Sequence, residues 1–132
     1  MYYDQPNNRL VVSDFLNSRV LQFSLNSSSS SGTVIAGGNG AGCGATQFYS
    51  PVGLTLDNSG RLYVADVSCN TITIFPPNSN STTSGTVIAN VYYPEQICIN
   101  PLTGDLYVVS FGNNAVYKLI GGNGSMVTVA GA

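Results

Sequence analysis

Leu62-Tyr63-Val64-Ala65-Asp66 decides the fold, because the chain writes it three times. It stands earlier as Leu10-Val11-Val12-Ser13-Asp14 and later as Leu106-Tyr107-Val108-Val109-Ser110, with starts 52 and 44 residues apart. Six residues after the closing Asp or Ser comes a β-branched residue in every copy (Val20, Ile72, Val116), and three further on an apolar one (Phe23, Phe75, Leu119). A third element then recurs: Gly32-Thr33-Val34-Ile35-Ala36, Gly85-Thr86-Val87-Ile88-Ala89 and, more loosely, Met126 to Gly131. A fourth precedes the core motif. Ser50 to Asp57 pairs with Tyr93 to Asn100, and Met1-Tyr2-Tyr3-Asp4 matches only its tail.

Each element is short, β-branched or aromatic, and bounded by turn residues, which is the pattern of a strand. Asp57-Asn58-Ser59-Gly60 and Asn100-Pro101-Leu102-Thr103-Gly104 supply the turn between the first two strands of a repeat. The second strand is apolar on both sides, Leu62 and Val64 on one and Tyr63 and Ala65 on the other. A strand with one wet face would alternate polar and apolar. Burial on both sides means sheets stacked face to face, as in the blades of a propeller. The expectation is an all-β, partial β-propeller of about three four-stranded antiparallel blades at residues 1–37, 48–90 and 92–131, the first truncated in its innermost strand. Length differences fall in the third-to-fourth strand loops: Asn26 to Ser31, Asn78 to Ser84, and Gly121 to Ser125. Such inserts read as solvated decoration, since loop entropy grows only logarithmically.

These residues resemble the NHL repeat, which runs Pro-x-Gly-aliphatic-x-aliphatic-Asp, then Gly-x-aliphatic-Tyr-Val-Ala-Asp, then Asn-x-aliphatic-x-x-Phe. The second copy matches at Pro51, Gly53, Leu54, Leu56, Asp57, Gly60, Leu62 to Asp66, Asn70, Ile72 and Phe75. The first copy lacks the Pro-x-Gly opening. The third has Glu95-Gln96 for Val52-Gly53 and Ser110 for the Asp. NHL propellers usually have six blades, so the resemblance implies a portion of a longer propeller, as does a start inside the first strand of a blade. Two half-rings pairing through open apolar faces is the other way to close.

Composition bounds the function. The chain is 43% hydrophobic, 8% charged, and carries a net charge of −2. Four scattered cations (Arg9, Arg19, Arg61, Lys118) supply little phosphate neutralisation, so no nucleic-acid partner is expected, RNA included. No apolar run approaches the roughly 20 residues of a membrane helix, and Met1 to Pro6 does not open a signal peptide. The compartment stays unassigned, with a lean toward an extracellular or secretory parent.

There is no histidine, which removes the commonest general base and transition-metal ligand. Serine–histidine hydrolysis is excluded, and so are the histidine-dependent lyases that the NHL scaffold resembles. No cofactor is expected. The carboxylates Asp4, Asp57 and Asp105 read as turn caps, and Asp14 and Asp66 as caps of the loops they open. Glu95, at the start of an innermost strand, is the weak metal candidate, because propeller lactonases place a metal-binding carboxylate comparably. Its counterpart in the neighbouring blade is Val52, so no second carboxylate is evident. Ala36 to Gly44 is glycine-rich, but without a following helix or lysine it reads as a flexible connector rather than a phosphate loop. Asn26, Asn80 and Asn123 open glycosylation sequons at a frequency close to chance.

Cys43, Cys69 and Cys98 lack metal-ligand spacing. Either all three are thiols, or Cys43 pairs with Cys69, both being expected in loops on one face. Directly after the strand-closing residues stand Phe15, Val67 and Phe111, where NHL repeats usually carry a small polar residue. Either they fold inward over the blade ends, or they form an apolar row that binds a protein or peptide. The expectation is a non-catalytic binding or scaffold module. The alternative is part of a lactonase- or lyase-like enzyme whose catalytic residues lie in other blades.

Overall fold

Leu62–Asp66 is buried at every position, and the rest of the molecule is arranged to cover its two faces. The computed structural model describes residues 1–26, 31–122 and 125–131. Residues 27–30 of the first loop insert, with most of the Asn26 sequon, and residues 123–124 of the third loop, with Asn123 of its sequon, lie outside them.

The strands are β1 (Tyr2–Asp4), β2 (Arg9–Asp14), β3 (Arg19–Ser24), β4 (Thr33–Gly37), β5 (Pro51–Leu56), β6 (Leu62–Asp66), β7 (Thr71–Phe75), β8 (Thr86–Asn90), β9 (Pro94–Ile99), β10 (Leu106–Ser110), β11 (Ala115–Ile120) and β12 (Ser125–Gly131). They form three antiparallel sheets in sequence order, β1 to β4, β5 to β8 and β9 to β12. The fold is a partial propeller of three blades. The innermost strand β1 has three residues where β5 and β9 have six.

Repetition extends to irregularities. The third-to-fourth strand pairing breaks register directly after Val20, Ile72 and Val116, the same position in each blade. Ser18, Asn70 and Asn114 all adopt left-handed backbone angles at the turn into the third strand, a conformation Asn tolerates better than most residues.

Two apolar seams hold the blades together. Between blades 1 and 2, Val11, Val20 and Ala36 meet Leu54, Leu56, Leu62, Val64 and Phe75. Between blades 2 and 3, Tyr63, Ala65 and Ile72 meet Ile97, Leu106, Val108 and Leu119. Alternate residues of β6 serve opposite seams, so one strand knits both. Phe48, 1% exposed, enters the first seam from the connector and meets Phe75 edge to face at 5.5 Å. Val91 is its counterpart in the second seam.

Two loops behave differently from the sequence expectation. The Asn78 to Ser84 insert is no solvated decoration. Ser79 Oγ donates to the Ile35 carbonyl at 2.7 Å, and Asn39 Nδ2 donates to the Ser81 carbonyl at 2.7 Å. It thereby ties blade 2 to blade 1. The glycine-rich connector is likewise pinned: Gly42 N donates to the Phe48 carbonyl at 3.1 Å, Gln47 Nε2 to the Asn39 carbonyl at 3.2 Å, and Gly85 N to the Ala45 carbonyl at 2.8 Å. Small residues serve there because the backbone groups themselves make the contacts.

Candidate functional site: an aromatic loop face

The second-to-third strand turns and the blade-to-blade connectors emerge at one end of the blades. Antiparallel order requires this, because every first strand starts at the end where every second strand stops. The strand-closing residue organises that end. Asp66, 2% exposed, accepts from Tyr49 N at 2.8 Å, Ser50 N at 3.0 Å and Cys69 N at 3.2 Å. One buried carboxylate therefore holds both the incoming connector and the outgoing turn. Ser110 does the corresponding work in blade 3, donating from Oγ to the Tyr92 carbonyl at 2.5 Å and accepting from Asn113 N at 3.2 Å. Asp14 takes Arg19 Nε at 2.8 Å and Asn17 Nδ2 at 3.0 Å.

Cys43 and Cys69 are joined by a disulfide, with Cα atoms 5.7 Å apart. It fastens the connector to the β6–β7 turn beside Asp66. Cys98 is a free, exposed thiol.

On this rigid base the side chains singled out by sequence divide. Phe15, opening a single 3₁₀ turn (Phe15–Asn17), and Phe111 are exposed, Phe111 at 64%, and do not fold over the blade ends. Val67 is half-buried, its N–H donating to the Ser50 carbonyl at 3.1 Å. Phe111 packs against Tyr93 with ring centroids 5.7 Å apart, and Phe111 N donates to the Tyr93 carbonyl at 3.0 Å. Tyr92 lies over Gly112, where a Cβ would run into its ring. Phe15 makes no ring contact among the described residues. The continuous patch is thus Tyr92, Tyr93 and Phe111 on blade 3, with Phe15, exposed Leu16 and exposed Tyr49 emerging at the same end from blades 1 and 2. The tyrosines were missed in the sequence. Their signal was available: Tyr49 and Tyr92 occupy one repeat position, two residues ahead of Pro51 and Pro94.

Each of the four Arg and Lys side chains is paired with a nearby aspartate. Arg9 pairs with Asp4, Arg19 with Asp14, Arg61 with Asp57 and Lys118 with Asp105, at 2.6 to 3.6 Å. Burial of Asp57 alone would raise its pKa, but hydrogen bonds from Arg61 and Ser59 and the Arg61 charge outweigh it and hold the carboxyl below its ordinary value. Asp57 caps its turn as expected, accepting from Ser59 N and Arg61 N at 2.9 Å. In blade 3 Asn100 takes that role toward Leu102 N, and Asp105 instead accepts from Gly121 N at 2.8 Å. Glu95 is half-buried at the start of β9, and among the described residues no three His, Cys, Asp or Glu gather as a metal site.

Residues 48–75, the whole of the second copy up to Phe75, match the family model for the NHL repeat. No curated protein matches the chain.

Proposed function

We propose that this chain, which folds as three propeller-type blades and matches the NHL repeat over residues 48–75, is a non-catalytic binding module that holds a protein or peptide segment on its aromatic loop face. The observation carrying this is Phe111 with Tyr92 and Tyr93. Three large aromatic side chains remain exposed together on turns that a buried hydrogen-bond network holds in place. Exposed Tyr and Phe lose little conformational freedom on binding and dominate interface energetics. The absence of histidine, and carboxylates engaged in turns and ion pairs, support binding over catalysis. The chemistry suits an extended segment offering proline or apolar side chains between polar ones, since the patch combines a phenyl ring with two phenols.

Selection of displayed random peptides on the full chain tests this. The expected ligands are aromatic- or proline-containing and lose at least about tenfold in affinity on Phe111→Ala and Tyr92→Ala. Selected peptides whose binding survives both substitutions would remove the assignment.

A further inference from the structure

We propose that a hollow between the first connector and blade 2 is a binding site for a small uncharged aromatic molecule, a single ring bearing one hydroxyl or amine group. It is independent of the loop face, because none of the loop-face aromatic residues lines it.

The connector of the first seam runs over residues 38–50, whereas residues 91–93 suffice between blades 2 and 3. The longer stretch is fastened to blade 2 at two points. One is the Cys43–Cys69 disulfide, and the other is Gly85 N donating to the Ala45 carbonyl at 2.8 Å. Between them the connector does not close on the blade. A hollow of about 170 Å³ remains, bounded by Phe48 and the disulfide on the connector side and by Thr71, Thr73 and Val87 on the blade. The cause lies in one repeat position. Thr73 pairs with Val64 as Leu21 does with Val12 and Tyr117 with Val108. In the second seam Tyr117 packs against the apolar cluster. In the first its counterpart is a threonine, and room for a ring is left open.

Size and lining together select the occupant. An apolar cavity of roughly 150 Å³ takes up benzene, so a single substituted ring matches the space. The Phe48 ring, the Val87 side chain and the disulfide sulfurs offer it dispersion and sulfur–aromatic contacts. Most polar groups on the wall are already bonded. Gln47 donates from Nε2 to the Asn39 carbonyl at 3.2 Å and accepts from Gly44 N at 3.3 Å. Asp66 accepts from the backbone N–H groups of Tyr49, Ser50 and Cys69. The Thr71 and Thr73 hydroxyls, by contrast, have no hydrogen-bond partner among the described residues. A hydroxyl both donates and accepts, so this pair can hold one polar substituent of a ring. Asp66 lines the hollow and no Arg or Lys does, which disfavours an anion.

Amide NMR of the full chain, titrated with phenol and separately with toluene, tests the site. The expected result is saturable shifts at Thr71, Thr73 and Gly85, with phenol dissociating on the order of 0.1 to 1 mM. Thr73→Tyr puts into the hollow the side chain that Tyr117 supplies to the second seam, and should weaken phenol binding at least about tenfold. Thr71→Val/Thr73→Val keeps the shape without the hydroxyls, and should lower the phenol-to-toluene affinity ratio by about fivefold or more. If Thr73→Tyr fails to fold by circular dichroism, the double valine variant still decides. No saturable shift at these residues up to about 10 mM phenol overturns the proposal. So does phenol binding unchanged in Thr73→Tyr, a ratio unchanged in the double valine variant, or shifts confined to Gly112 and Asn113 on the loop face.

Discussion

Gly53 sits against the main-chain carbonyl of Glu95, so close that a Cβ could not be accommodated. The contact joins the innermost strands of adjacent blades, where they converge toward the axis and side chains have least room. Gly53→Ala should therefore push β5 from β9 and cost roughly 1 to 3 kcal/mol, the range for overpacking a tight core. Chemical denaturation of the variant checks it. A change below about 0.5 kcal/mol would mean that the strands part easily and that the seam is softer than described.

The Cys43–Cys69 disulfide closes a loop with a sequence separation of 26 residues and binds the connector to the turn that Asp66 organises. Removing it as Cys43→Ser/Cys69→Ser should cost about 2 to 4 kcal/mol through the unfolded chain. Native protein should titrate with a single reactive thiol, Cys98, against a thiol-specific reagent without reductant. Three reactive thiols would contradict the pairing.

How far the sequence spoke is clearest at particular positions. β6 was legible because both its faces are buried, so apolar residues run without alternation, and the same logic placed the two seams. The left-handed turn residues Asn70 and Asn114 could be anticipated from their type, but Ser18 at the same position could not. The inter-blade role of the Asn78 to Ser84 loop is not legible in sequence, because polarity alone does not separate a solvated loop from one whose hydroxyls and carbonyls bond a neighbouring blade. Tyr92 and Phe111 show a different limit. Composition does not report whether an aromatic ring turns inward; the Ser110 and Asn113 hydrogen bonds that shape the turn decide that.

Acid should unfold the chain through its ion-paired aspartates. Hydrogen bonds from Arg19 and Asn17 lower the Asp14 pKa, and a hydrogen bond from Gly121 N leads the lowering at Asp105. At Asp4 and Asp57 burial acts in the opposite direction, yet bonds from Asn7 and Arg9, and from Arg61 and Ser59, prevail. A carboxyl whose folded pKa lies below its unfolded value contributes stability that is complete above the unfolded value. That contribution is lost as pH falls through the folded value. The loss therefore begins below about pH 4, the ordinary aspartate value. Melting temperature measured from pH 7 to pH 2 should hold level and then fall, and Asp57→Asn should flatten the fall. A decline beginning between pH 7 and pH 5 would contradict the assignment, since none of these groups titrates there.

Phe75 and Phe111 give the sharpest separation between fold and function, because they are one residue type in opposite settings. Phe75 is 1% exposed and packs edge to face with Phe48 in the first seam. Truncating it to Ala removes a ring from a filled core and should cost about 3 to 5 kcal/mol. Phe111 is 64% exposed, touches Tyr93, and belongs to neither seam. Its loss forfeits one solvent-exposed ring contact, so Phe111→Ala should change stability by no more than about 1 kcal/mol. Urea denaturation of the two variants side by side makes the comparison. A structural role for Phe111 would show as a cost approaching that of Phe75→Ala, and the loop face would then be part of the core rather than a surface kept for a partner. A small cost, together with lost peptide binding, fits only a side chain held out for contact.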